Sequence, residues 1–272
     1  MLDLIRRALE EDLGGGDVTT RAVVPEGARA CASIAQRAPG VIAGLDVAEA
    51  VFRELDASID WRTAASAVGW REPGVLAELT GEAAAILAGE RVALNFLGRL
   101  SGVATLTARY VRAVEGTRAR ILDTRKTTPA LRALEKRAVV AGGGVSHRSG
   151  LYDAILVKEN HAAVAGGVAQ AARRALAAAP PGMSVEVECA TLDEVRGALD
   201  AAVPRLLLDN MDTATLRAAV EIVAGRAELE ASGGITLDNV GEVARTGVDF
   251  ISIGALTHSA PALDVSLLLE PA

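Results

Sequence analysis

Apolar and polar positions change rhythm near residue 120. Before it, residues 1–12 have an amphipathic, helical pattern, and Leu13 to Thr20 reads as a glycine-rich turn. Strand-like segments follow at Ala30 to Gln36, Val41 to Ala43, Ile59 to Thr63 and Val75 to Leu79, with an apolar helix at Val47 to Leu55. From Glu82 to about Val114 the spacing is helical, with interruptions expected at Gly98 and Gly102. This half predicts an α+β sandwich followed by bridging helices.

From residue 121 short apolar runs recur, each closing on a polar or glycine residue. They are Ile121-Leu122-Asp123, Ala154 to Lys158, Val185 to Glu188, Arg205 to Asp209, Leu229 to Ser232 and Phe250 to Gly254. Alanine-rich helical stretches fill the gaps, such as Val164 to Ala179 and Thr213 to Val223. Strand, helix, strand at this spacing implies parallel βαβ units. Six of them point to a closed or nearly closed barrel. A doubly wound open sheet is the alternative, weakened because no strand is followed by a G-x-G-x-x-G fingerprint.

Composition narrows the function classes. Half of the 272 residues are apolar but only 3% aromatic, so the core is built from Ala, Val, Leu and Ile. A net charge of -7 argues against a nucleic-acid footprint or a membrane-surface patch. No stretch approaches the length of a membrane span, and the first residues lack the apolar run of a signal peptide, so a soluble cytoplasmic protein is expected. Cys31 and Cys189 are too few and too distant for a disulfide framework or zinc site, and both read as buried small residues.

The candidate chemistry lies at the ends of the later runs. All three lysines fall in one window, at Lys126, Lys136 and Lys158, in a chain whose other cations are arginines. In parallel barrels the reacting groups sit at the carboxyl ends of strands. Those ends supply Asp123, Arg125, Lys126, Lys158, Glu188, Asp209, Ser232 and Gly254. Arg125, Lys126, His147, Arg148 and Lys158 would converge on one mouth, which requires an anion with several negative groups. Gly142-Gly143-Gly144 reads as a bend that aims His147 and Arg148 inward. Glu188 and Asp209 are either an acid/base pair or a set for hydroxyl and magnesium ligation, with a salt bridge to Arg125 or Arg148 as the bland alternative. Ser232-Gly233-Gly234 and Gly254-Ala255 suit a phosphate cradle. Lys136 reads as a helix-surface or framework residue, and His147, His161 and His258 lack the helical metal spacing.

These motifs resemble the quinolinate phosphoribosyltransferase family. The resemblance rests on Asp-Thr-Arg-Lys-Thr from Asp123, Gly-Gly-Gly-Val-Ser-His-Arg ending at Arg148, and Leu-Val-Lys-Glu-Asn-His ending at His161. It extends to Leu94-Asn95-Phe96-Leu97, Glu186-Val187-Glu188, Leu207-Leu208-Asp209-Asn210, Glu230 to Gly234 and Ile253 to Ser259. It implies an α/β protein: an N-terminal α/β open-faced sandwich over 1–103 and an incomplete parallel α/β (TIM-like) barrel over 104–262, with residues 263–272 packing back on the sandwich. It implies phosphoribosyl transfer from phosphoribosyl pyrophosphate to quinolinate with decarboxylation, substrate-bound magnesium, and a homodimer with shared sites. Quinolinate would be held by Arg91 of a partner subunit with Arg125, His147, Arg148 and Lys158. Phosphoribosyl pyrophosphate would meet Lys126, Lys158, Glu188, Asp209, Ser232, Gly233, Gly234, Ile253, Gly254 and Ala255, and Thr124 would be a further substrate-binding residue. Lys126, Lys158, Glu188 and Asp209 carry the catalytic expectation, and Glu188 and Asp209 the metal expectation, through water.

Three other readings stay open on the residues alone. One is a barrel aldolase using Lys158 as a Schiff-base nucleophile. Another is a relative acting on a different pyridine or anionic base, such as the molybdenum-transport-associated members of this scaffold. The third is a non-catalytic binder of phosphorylated metabolites.

Overall fold

The computed structural model describes residues 1–64 and 69–272. They form two compact units: residues 1–108, 129–142 and 260–272, and residues 109–128 and 143–259.

The first unit opens with α1 (Leu2–Leu13) and α2 (Val18–Val23), followed by β1 (Arg29–Gln36), β2 (Gly40–Val41) and α3 (Leu45–Leu55). Next come β3 (Asp60–Thr63), β4 (Trp70–Arg71) and β5 (Gly74–Glu82), then the long α4 (Ala83–Ala113). The glycine-rich turn expected as far as Thr20 is shorter, because Asp17 accepts from the backbone N–H of Thr19 and Thr20 and starts α2. The N-terminal sheet is antiparallel, ordered β12-β1-β5-β3, where β12 (Val265–Pro271) is the last strand of the chain. Cys31 is exposed rather than buried, because it falls on the outward positions of the alternating strand β1. Cys189 is buried, and burial pushes its thiol up to about 12. Phe52, Ile34, Leu76, Leu79, Ile86 and Leu97 lie in the core.

Helix α4 is continuous where breaks were expected at Gly98 and Gly102. The glycines serve packing instead. A Cβ at Gly102 would collide with the Pro261 carbonyl, and one at Gly98 would lie 3.0 Å from the Leu263 carbonyl oxygen. The 103/104 boundary therefore falls inside a helix. Helix α5 (Arg132–Ala141) groups with the first unit, and its Lys136 is buried rather than on the helix surface.

The second unit holds β6 (Arg120–Leu122), β7 (Ile155–Val157), β8 (Val185–Cys189), β9 (Arg205–Asp209), β10 (Glu228–Ser232) and β11 (Phe250–Ser252). All six apolar runs are strands. Helices α6 (Glu159–Ala165), α7 (Val168–Ala178), α8 (Leu192–Asp200), α9 (Thr213–Val223) and α10 (Val240–Ala244) connect them, and α11 (Ala255–His258) follows β11. Capping sets the starts of α8 and α9: Thr191 and Glu194 form a reciprocal box, and Asp212 accepts from Thr215 N–H. The sheet is parallel, in the order β6-β11-β10-β9-β8-β7. From β7 to β11 neighbours follow the chain in one sense, and the first strand β6 pairs with the last. A doubly wound sheet reverses its order midway, so this topology excludes it. No β6–β7 pairing occurs among the described residues, which makes the barrel incomplete. Among the described residues no helix is long and apolar enough to cross a membrane.

Candidate active site

A cavity of about 700 Å³ opens where the parallel strands end. Thr124, Arg125 and Lys126 follow β6, and Lys158 follows β7. Asp209 closes β9, Ser232 closes β10 ahead of Gly233 and Gly234, and Ile253, Gly254 and Ala255 follow β11. His147 and Arg148 line it too. Two expected residues do not: Glu188 touches Lys158 from the end of β8, and Arg91 lies exposed on α4 in the first unit.

The loops hold these groups in specific ways. Thr124 Oγ1 accepts from Lys126 N–H at 3.0 Å, and Thr257 Oγ1 donates to the Lys126 carbonyl at 2.7 Å, tying the loop after β6 to α11. A Cβ at Gly254 would lie 3.1 Å from Lys126 Cδ, so the glycine leaves room for the lysine stem. Gly233 adopts φ 94°, and a side chain there would collide with Asn210. Asn210 donates to Asp209 Oδ2 at 2.8 Å. Glu188 is doubly held: Oε2 accepts from Lys158 Nζ at 2.7 Å and Oε1 from Glu159 N–H at 3.2 Å. Its salt bridge is thus to Lys158. His161 is framework, its Nδ1 accepting from Lys158 N–H at 2.9 Å.

Electrostatics explain what the cavity attracts. Burial and the Arg125 charge both lower the Arg148 guanidinium, which Asp153 and Glu186 partly offset. Two arginines and two lysines around one cavity favour an anionic ligand. Asp123, expected with the strand-end chemistry, is fully buried; it accepts from His147 N–H at 2.8 Å and from Ser146 Oγ at 3.3 Å. It is an anchor for the segment carrying His147 and Arg148.

Below these groups lies a layer that the sequence patterns do not reveal. His147 Nε2 is 2.9 Å from Glu186 Oε2 and 3.5 Å from Glu230 Oε2. Arg205 Nη2 donates to Glu230 at 3.0 Å, and its Nε lies 3.4 Å from Glu186. Burial and the Glu186 charge push the Glu230 carboxyl up to about 7. Burial also pushes Glu186 up, but the contact with His147 and the charge of Arg205 outweigh it and leave that group below its ordinary value. The signal that could have found them is the strand period of two. Glu186 precedes Glu188 by two and Glu230 precedes Ser232 by two, so each shares the inward face of a site residue.

Two places have ligands suited to a cation. Glu188 and Asp209 offer oxygens at adjacent strand ends, but Lys158, Glu159 N–H and Asn210 already donate to them. Oxygens already engaged in this way fit a cation such as magnesium through bound water better than as direct ligands. His147, Glu186 and Glu230 bring ligand atoms within 4.8 Å of one another. Arg205 and the His147 ring already bond those carboxylates, which fits a hydrogen-bonded cluster better.

Comparison with known proteins agrees with the geometry. The model described as quinolinate phosphoribosyl transferase, N-terminal domain, matches residues 17–101, and that of the C-terminal domain matches residues 103–268. A nicotinate-nucleotide pyrophosphorylase [carboxylating] of Mycobacterium leprae is 46% identical over 272 residues, covering 97% of this chain and 95% of that protein. A probable enzyme of the same name from Bacillus subtilis is 41% identical, covering 97% and 91%. The crystal structure of NadC from Streptococcus pyogenes superposes with a TM-score of 0.95 at 39% identity, covering 99% of this chain and 96% of that one. The chain belongs to the quinolinate phosphoribosyl transferase family.

Proposed function

We propose that this cavity is where the chain transfers the phosphoribosyl group of phosphoribosyl pyrophosphate to the ring nitrogen of quinolinate. Carbon dioxide is lost, and nicotinate mononucleotide and pyrophosphate are the products. The observation that carries the reading is the convergence of Arg125, Arg148, Lys126 and Lys158 on one cavity, with the Arg148 guanidinium lowered by burial and by its like-charged neighbour. The names of the Mycobacterium leprae and Bacillus subtilis relatives support the same chemistry.

Arg125, Arg148 and Lys158 hold the two carboxylates of quinolinate, with His147 beneath them and Arg91 contributed by a partner subunit. Lys126, Thr124, the Ser232 to Gly234 turn and the Ile253 to Ala255 turn hold the phosphates. Glu188 and Asp209 orient the ribose hydroxyls and stabilise positive charge on the sugar as the ring nitrogen attacks the anomeric carbon. Catalysis then rests on positioning and preorganised charge, with no protein nucleophile. Glu188 and Asp209 would hold magnesium, which would supply charge neutralisation for the leaving pyrophosphate. After transfer the quaternary nitrogen stabilises the carbanion left by decarboxylation.

The proposal includes a cytoplasmic homodimer. Leu151 and Tyr152 favour such an assembly: they expose 74% and 77% of their surface just after Arg148. The deciding experiment incubates the chain with quinolinate, phosphoribosyl pyrophosphate and magnesium. Stoichiometric carbon dioxide and nicotinate mononucleotide are expected; consumption of nicotinate in preference to quinolinate would overturn the substrate assignment.

A further inference from the structure

The backbone N–H and both ring nitrogens of His147 have protein partners. Its backbone N–H donates to Asp123 at 2.8 Å, and Nδ1 accepts from the Arg148 backbone N–H at 2.7 Å. Nε2 faces Glu186 at 2.9 Å. A backbone N–H only donates, so Nδ1 carries the lone pair and the ring proton sits on Nε2, pointing at the two carboxylates. Exchanging the tautomer would set a donor against the Arg148 N–H and a lone pair against Glu186. The same constraint disfavours a metal on Nε2.

The partners are themselves held. Glu186 and Glu230 are 3% and 0% exposed, which a carboxylate tolerates only with compensation. Arg205 compensates both, and its Cζ sits 3.9 Å over the Phe250 ring. Four adjacent strands, β8 to β11, each supply one member: Glu186, Arg205, Glu230 and Phe250. Sheet pairing therefore sets the constellation, with Glu186 opposite Arg205 and Glu230 opposite Phe250.

We propose that Glu186, Glu230 and Arg205 are positioning residues that lock His147 in one orientation and one tautomer, and through the bond to its backbone aim Arg148 at a carboxylate of the bound pyridine. The proposal rests on the function proposed above. Glu186 also acts on Arg148 directly, since its charge supports the guanidinium that Arg125 opposes. Without the network the His147–Arg148 segment keeps its Asp123 anchor but loses the lock on the ring.

The test uses Glu186→Leu and Glu186→Gln in the full-length protein. Glu186→Leu should raise KM for quinolinate about tenfold or more and change KM for phosphoribosyl pyrophosphate less than about twofold. Glu186→Gln retains an acceptor for Nε2–H and should return the quinolinate KM to within about threefold of wild type. A merely structural role would move both KM values together, or neither, and either result overturns the proposal. Nitrogen-15 spectra of labelled histidine provide a measurement that needs no variant, in a chain with only three histidines. One His147 tautomer, protonated at Nε2, is expected in the wild type; an Nδ1–H form or a tautomer mixture there overturns the proposal even if the leucine variant does not fold. A wild type inert toward quinolinate would sink the functional reading, while the tautomer measurement would still decide the lock on its own.

Discussion

Lys158 Nζ lies 2.7 Å from Glu188 Oε2, across the neighbouring strand ends of β7 and β8. The Lys158 side chain is 49% exposed, so the pair adds little to stability, about 1 kcal/mol at most. Its consequence is local: it holds a cation and a carboxylate side by side at the cavity edge.

Lys158→Ala should therefore separate stability from activity. We expect a melting temperature within about 3 °C of wild type. We expect kcat/KM for quinolinate to fall about 100-fold or more, roughly 3 kcal/mol of transition-state stabilisation. Near-normal turnover by a folded variant would remove Lys158 from the site.

Arg91 is exposed on α4, in the first unit. If a partner subunit supplies it, Arg91→Ala and Lys158→Ala should each be weak alone. Mixed after verified subunit exchange, they should regain up to about one quarter of wild-type sites, as statistical pairing leaves one intact site in each hybrid dimer. Activity that stays at the level of the separate variants would rule out sharing.

Glu230 gives a pH prediction. Its carboxyl is raised from 4.5 to about 7, so the folded chain keeps a proton that the unfolded chain has released over that interval. The sign follows: the stabilisation is complete below pH 4.5 and is lost as pH climbs through about 7. Glu230→Gln stays neutral, so its melting temperature relative to wild type should rise between pH 5 and pH 8. A difference that is flat or falls with pH would show that Glu230 is charged throughout.

The continuity of α4 yields a packing prediction. Gly102→Ala sets a Cβ against the Pro261 carbonyl and should cost about 1–3 kcal/mol, read as several degrees of melting temperature. Gly15→Ala meets no atom within 4 Å and should leave the melt unchanged. An equal response at both positions would refute close approach as the reason for Gly102.

The parallel strands were legible because they are covered on both faces. Val185, Glu186 and Val187 are all buried in β8, whereas β1 begins exposed, buried, exposed, buried. The first unit was less legible where local rules competed with packing. Gly98 and Gly102 read as helix breaks by propensity, yet the backbone of residues 261–263 makes glycine the residue that fits. Strand β4, only Trp70–Arg71, is too short for any period to declare it.

The candidate site divides in the same way. Lys126, Lys158, Glu188 and Asp209 were legible from order along the chain, since each follows or ends an apolar run. Glu186 and Glu230 were not, because a strand pattern says which residues share a face but not which face is enclosed. Alone, the sequence determined the element types, the parallel strand set and the cationic strand ends, all of which depend on neighbouring residues and backbone period. Only the tertiary structure decided that Glu186, Arg205, Glu230 and His147 meet in one buried cluster, and that Lys136 is interior. Burial and charge pairing are properties of residues far apart in the chain, and they exist only once the sheet register has brought those residues together.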